Sequence, residues 1–140
     1  VHFPRAFLEE GSYDFSFSGL KTAVVNHVRK AQDAGREVFV PDIAASFQEA
    51  VVDVLAEKTL RAASEKDVAT VALAGGVAAN SRLRQELSGR AQRKGIEVVY
   101  PSPILCTDNA AMVACVGYFQ LVSGRTSSLD LPAVPNLHLE

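Results

Sequence analysis

Apolar positions along the chain follow two different periods, and the change from one to the other outlines the fold. Residues 1–18 are irregular and rich in Phe, Gly and Pro. Within them Asp14-Phe15-Ser16-Phe17-Ser18 alternates polar and aromatic residues, which suits a short extended segment. Leu20, Val24, Val28 and Ala31 then recur at helical spacing, with the Ser18 hydroxyl expected as cap and Gly35 as the stop. A longer helix is expected from Pro41-Asp42 to about Ser64. Proline fits the first turn, the Asp42 carboxylate suits the positive helix end, and Ile43, Phe47, Val51, Val54 and Leu55 form an apolar stripe.

Beyond this point the period shortens. Thr70-Val71-Ala72-Leu73-Ala74 is a short apolar run closed by Gly75-Gly76, the pattern of a buried strand. Leu83, Leu87 and Ala91 predict a third helix that ends at Gly95, and residues 96–100 read as a second strand closed by Pro101 and Pro103. A last helix is expected from Thr107 or Asp108 to about Ser123, followed by an irregular tail. Strands separated by a single helix imply a parallel pair in an α/β layer fold. Two strands are too few for a complete sheet, so sheet partners are expected outside this chain, with residues 14–18 adding at most a short piece.

Composition narrows the function. The chain has 140 residues, 48% hydrophobic and 21% charged, which is enough apolar content for one folded domain. The net charge of −2 does not suit RNA binding by bulk charge, so any RNA contact must come from a local patch or another segment. Cys106 and Cys115 form no CxxC pair, which argues against a zinc ribbon or a disulfide scaffold. No apolar run reaches membrane-span length and no secretory signal pattern opens the chain, so no membrane partner and a cytoplasmic location are expected. The first residue is Val1, so the chain reads as a piece of a longer protein.

Two strand-to-helix junctions carry the candidate chemistry. At Gly75-Gly76-Val77-Ala78-Ala79-Asn80 the missing Cβ atoms let a ligand approach the backbone, and a helix start offers N–H groups to an anion. Asn80, expected one turn into the helix, has both donors and acceptors. A tight turn with a packing role is the plain alternative. At Cys106-Thr107-Asp108-Asn109, Thr107 suits a helix cap and Asp108 the helix dipole; alternatively Asp108 is a hard oxygen ligand for a metal. Both junctions are expected at the same sheet edge, where ligands of open α/β sheets sit. Lys21, near a helix start, either meets an anion or extends to solvent. Arg82, Arg84, Arg90, Arg93 and Lys94 share one helix and read as a solvated face, with contact to RNA phosphates as the alternative. His2, His27 and His138 have no i, i+4 pairing.

Four blocks together resemble the C-terminal region of the TsaD family: FSFSGLKTAV at 15–24, DIAASFQEAVVDVL at 42–55, LAGGVAANSRLR at 73–84 and YPSPILCTDNAAMVA at 100–114. The resemblance implies an incomplete subdomain of the actin-like, sugar-kinase-like fold, with a short parallel sheet flanked by helices. It implies transfer of a threonylcarbamoyl group from threonylcarbamoyl-AMP to the N6 amine of the tRNA adenosine next to the anticodon. By the same resemblance Asn80, Gly75 and Gly76 bind the adenylate. Asp108 becomes one ligand of a divalent metal, iron or zinc, and proteins of the TsaB and TsaE types are partners. The family's other metal ligands, in an HxxxH motif, and its SGGHT loop do not occur in these 140 residues, so the chain alone is expected to be inactive. No catalytic base is implied by any residue present. Another carbamoyltransferase with a TsaD-like domain would share these features, whereas a non-catalytic scaffold like TsaB has no need of Asn80 and Asp108.

Overall fold

The computed structural model describes residues 1–6 and 11–135. The chain divides into two compact units, residues 1–107 and 108–140. The described part of the first unit holds helix α1 (Ser18–Asp33), helix α2 (Val40–Glu65), strand β1 (Thr70–Ala72), helix α3 (Ser81–Gln92) and strand β2 (Glu97–Val99). Short 3-10 turns at Gly76–Ala79 and Pro103–Leu105 complete it. The second unit holds helix α4 (Ala110–Val122).

The order of helices and strands follows the periodicity, while several junctions differ from it. Residues 12–16 form no strand. Phe17, not Ser18, precedes α1 as its cap, without a side-chain cap bond. The Ser16 hydroxyl accepts the Ser18 N–H instead, at 3.3 Å, so Ser18 is free to open the helix itself. Gly35 does end α1: at φ +63° it lets the Arg36 N–H turn back to the Ala31 carbonyl at 2.9 Å. Asp67 does the same for α2 at φ +52°, with the Val68 N–H on the Ala63 carbonyl at 3.0 Å. A short polar side chain tolerates this left-handed backbone better than a bulky one.

β1 and β2 pair in parallel, with Thr70 opposite Glu97, Val71 opposite Val98 and Ala72 opposite Val99. Val71 and Val98 pack on a core built from Ala56, Leu60 and Ala63 of α2, Leu87 and Ala91 of α3, and Ile96. Thr70, Ala72, Glu97 and Val99 alternate to the other face and are exposed. The strand expected to be buried on both faces is therefore covered on one only. A second cluster joins Phe3, Leu20 and Ala50, with Ile43, Phe47 and Val51 packed on it.

α2 is the central helix of this unit. Its buried residues Ala50, Val52, Val54, Ala56, Lys58 and Leu60 run around the cylinder, because the N-terminal segment and α1 cover one flank and α3 the other. Of the expected stripe, Val54 is fully buried, while Ile43, Phe47, Val51 and Leu55 are half-buried. The buried Lys58 ammonium and the Arg61 guanidinium both donate to the Ser12 carbonyl, anchoring the segment before α1. In the second unit no residue of α4 is buried, although the sequence AAMVACVGYFQLV is apolar around its whole circumference, the composition of a helix covered on every side.

Candidate functional site

The glycine junction is a two-step turn. Gly75 has φ +81° and ψ 170°, a conformation open essentially to glycine alone. The chain then makes the 3-10 turn Gly76–Ala79, closed by Ala78 N–H to Gly75 O and Asn80 N–H to Val77 O, both at 3.0 Å. Only then does α3 begin. Asn80 is accordingly its N-cap and does not sit one turn inside it, as the sequence pattern suggested. The Asn80 Oδ1 accepts the Leu83 N–H at 2.9 Å, and Nδ2 donates to Gln48 Oε1 of α2 at 3.1 Å. A Cβ built on Gly76 would meet only the Thr107 methyl, at 3.7 Å.

Asn80 and Gln48 line a cavity of about 310 Å³ whose other walls include Ala44, Phe47, Val51 and Val77. An adjoining cavity of about 550 Å³ shares Phe47, Val51, Leu55, Val77 and Leu83 with it and extends to Phe15, Phe17, Ala74 and Lys21. Neither lining contains an acidic residue, and Lys21 is the one cation. The half-buried stripe of α2 thus lines a groove beside the glycine turn. Sequence reasoning missed Gln48; its only signal was a polar residue set between Phe47 and Val51 on an otherwise apolar face.

Arg84 ties the two junctions of this unit together. Its Nε donates to the Ala78 carbonyl at 2.5 Å, and its Nη2 donates to the Pro101 carbonyl and to the Cys106 Sγ, each at 3.0 Å. The guanidinium also lies 4.4 Å from the Tyr100 ring centroid. Cys106, a reduced and buried thiol, is part of this tie.

The other basic residues of α3 do not form the solvated face expected of them. Arg82 pairs with Glu49 of α2 at 2.5 Å and with Glu86 at 2.9 Å. Arg90 pairs with Glu86 at 3.0 Å and with Asp53 of α2 at 2.5 Å, and Asp53 also holds Arg5 at 2.6 Å. Burial pushes the Asp53 carboxyl upward, but hydrogen bonds from Arg5 and Arg90 outweigh it and leave the acid below its usual range. The hydrogen bond from Arg82 lowers Glu49 in the same way. Acids on α2 and bases on α3 make this a seam between helices, and only Arg93 and Lys94 of the cluster remain exposed.

In the second unit α4 starts at Ala110, later than the expected Thr107 or Asp108. Asn109 is the cap, its Oδ1 accepting the Met112 N–H at 3.1 Å. An amide oxygen at this position reaches the third helical N–H, which leaves Asp108 outside the helix and exposed. Among the described residues no three His, Cys, Asp or Glu side chains come together as a metal site. His2 is exposed, His27 packs edge-on against Phe3 at 5.7 Å, and His138 lies outside the described residues. The described residues therefore offer Asp108 as a single oxygen donor and do not by themselves fit a catalytic metal. No described helix is long and apolar enough to cross a membrane.

Comparison with known proteins agrees with the four sequence blocks. The family described as "TsaD: tRNA N6-adenosine threonylcarbamoyltransferase" matches residues 1–115. A tRNA N6-adenosine threonylcarbamoyltransferase of Clostridioides difficile is 52% identical over 139 residues, covering 99% of this chain and 41% of the relative. One from Desulfitobacterium hafniense is 53% identical over 137 residues, covering 98% of this chain and 40% of the relative. The chain thus spans about two-fifths of the length of the curated relatives it matches. With a match over residues 1–115 and identity above one half along nearly its whole length, the chain belongs to the TsaD family.

Proposed function

We infer that the chain is the C-terminal portion of a transferase that moves a threonylcarbamoyl group from threonylcarbamoyl-AMP to the N6 amine of the tRNA adenosine next to the anticodon. The observation that carries this reading is the Asn80 amide. It stands at the end of the glycine turn and at the wall of a groove without acidic residues, a setting suited to an anionic, largely planar ligand. In the reaction the amine attacks the carbamoyl carbon, the new C–N bond forms as the nitrogen gives up one proton to solvent, and AMP departs with the electrons of the C–O bond. Asn80, Gly75 and Gly76 hold the adenylate that leaves; because the exocyclic amine of the tRNA adenine is a weak nucleophile, positioning of the two reactants matters greatly. Asp108 would supply one oxygen ligand to an iron or zinc ion only together with ligands from the rest of the full-length protein, and such an ion would offer Lewis-acid chemistry at the carbamoyl group. TsaB- and TsaE-type proteins are the partners, and the site of action is the cytoplasm. The chain by itself is inactive.

Calorimetry with AMP on the full-length enzyme tests the reading. Asn80→Ala should weaken binding by about 1–3 kcal/mol, the cost of losing a buried polar partner. Asn80→Ser keeps an oxygen for the Leu83 N–H but lacks the amide donor, so it should weaken binding while sparing the helix cap. Unchanged affinity in both variants overturns the assignment. Incubating the chain alone with threonylcarbamoyl-AMP and unmodified tRNA, followed by mass spectrometry of the nucleosides, checks the inactivity.

A further inference from the structure

We propose that Gln48 is a positioning residue that locks the Asn80 amide in its ligand-binding orientation. The inference rests on the nucleotide reading of Asn80. The Leu83 N–H can only donate, so the group 2.9 Å away must be the Asn80 oxygen. That assignment turns Nδ2 toward α2, where it needs an acceptor and finds Gln48 Oε1 at 3.1 Å. One helix amide thus sets the orientation of two side-chain amides in series.

The cap bond alone would leave the Asn80 amide free to swing about its oxygen. The bond to Gln48 supplies a second anchor and fixes the amide plane, leaving one Nδ2 hydrogen for a ligand. Gln48 sits 32 residues before Asn80, on a different helix, so the lock is made by the packing of α2 against α3. Both residues line the same cavity, where Phe47, Val51 and Val77 offer no other hydrogen-bond partner. An unlocked Asn80 amide would therefore find no replacement in those walls.

The test measures adenosine binding to the full-length enzyme. Adenosine is neutral, so a carboxylate introduced at position 48 does not act through repulsion of a phosphate. Gln48→Met, close in volume, removes the acceptor and should weaken binding about 3- to 10-fold, the effect of one hydrogen bond. Gln48→Glu keeps an oxygen for Asn80 Nδ2 and should bind within about 2-fold of the wild type; a packing role would instead spare both variants, since Met and Glu are each close to Gln in volume. In an Asn80→Ser background Gln48→Met should add no further loss, because it acts only through Asn80. Wild-type binding by Gln48→Met, equal losses in the Met and Glu variants, or losses that multiply in the double variant would each overturn the inference while leaving the nucleotide reading intact. Wild-type binding by Asn80→Ser overturns that reading first and the role of Gln48 with it.

Discussion

Arg84 lies over Tyr100, with its guanidinium 4.4 Å from the ring centroid, and the same group bridges the exits of both strands. It donates to the carbonyls of Ala78 and Pro101 and to the thiol of Cys106, which also reaches the Pro101 and Ser102 carbonyls. Arg84→Met should cost about 2–3 kcal/mol in urea denaturation, since the Ala78 carbonyl and the stacked ring lose their partner and the Pro101 carbonyl keeps only the weak contact of the Cys106 thiol. Arg84→Lys should recover less than half, because one ammonium cannot reproduce the planar fork. A loss below about 0.5 kcal/mol for the Met variant would show that water replaces the guanidinium readily.

Asp53 makes stability depend on acid pH. Its folded-state pKa is shifted down, so its contribution is complete above the unfolded value of about 3.9 and fades as pH falls through the lowered folded value. Asp53→Asn should be about 1–2 kcal/mol less stable than wild type at pH 7, and the gap should narrow as pH falls below about 4. Urea curves at pH 7 and pH 3 read this directly. A gap that stays constant assigns the effect to something other than the ion pairs with Arg5 and Arg90.

The two glycines should respond differently to alanine. Gly75 occupies backbone space nearly closed to other residues, so Gly75→Ala should cost about 1–3 kcal/mol of stability. Gly76 has no positive φ, and an added Cβ would make only ordinary contact with Thr107. Gly76→Ala should therefore leave the thermal midpoint nearly unchanged, and any loss of nucleotide affinity would report ligand approach rather than strain. Paired melting and calorimetry separate the two effects.

Asp108 is exposed and outside α4, so Asp108→Ala should change stability by less than about 0.5 kcal/mol. In the full-length enzyme the same change should lower metal content, measured by elemental analysis of the purified protein. Full metal occupancy in the variant would remove Asp108 from the ligand set.

The sequence alone determined the kind and order of the elements. Apolar spacing marked α1, α2 and α3, the change of period marked β1 and β2, and cap-type residues before an apolar run marked α4, because these signals are carried by neighbours within a few residues. Gly35 and Gly95 marked helix ends for the same local reason. The four motif blocks carried the family. Tertiary structure decided how the candidate side chains are engaged. Asn80 became a cap held by Gln48, the bases of α3 became partners of Glu49 and Asp53, and the stripe of α2 came to line a groove. Such outcomes depend on which helices pack together, and a hydrogen bond between residues 32 positions apart leaves no periodic trace in the chain. The start of α4 shifted to Ala110 because Thr107, Asp108 and Asn109 are all acceptable caps, and only the backbone geometry at Asn109 brings its side-chain oxygen to the Met112 N–H.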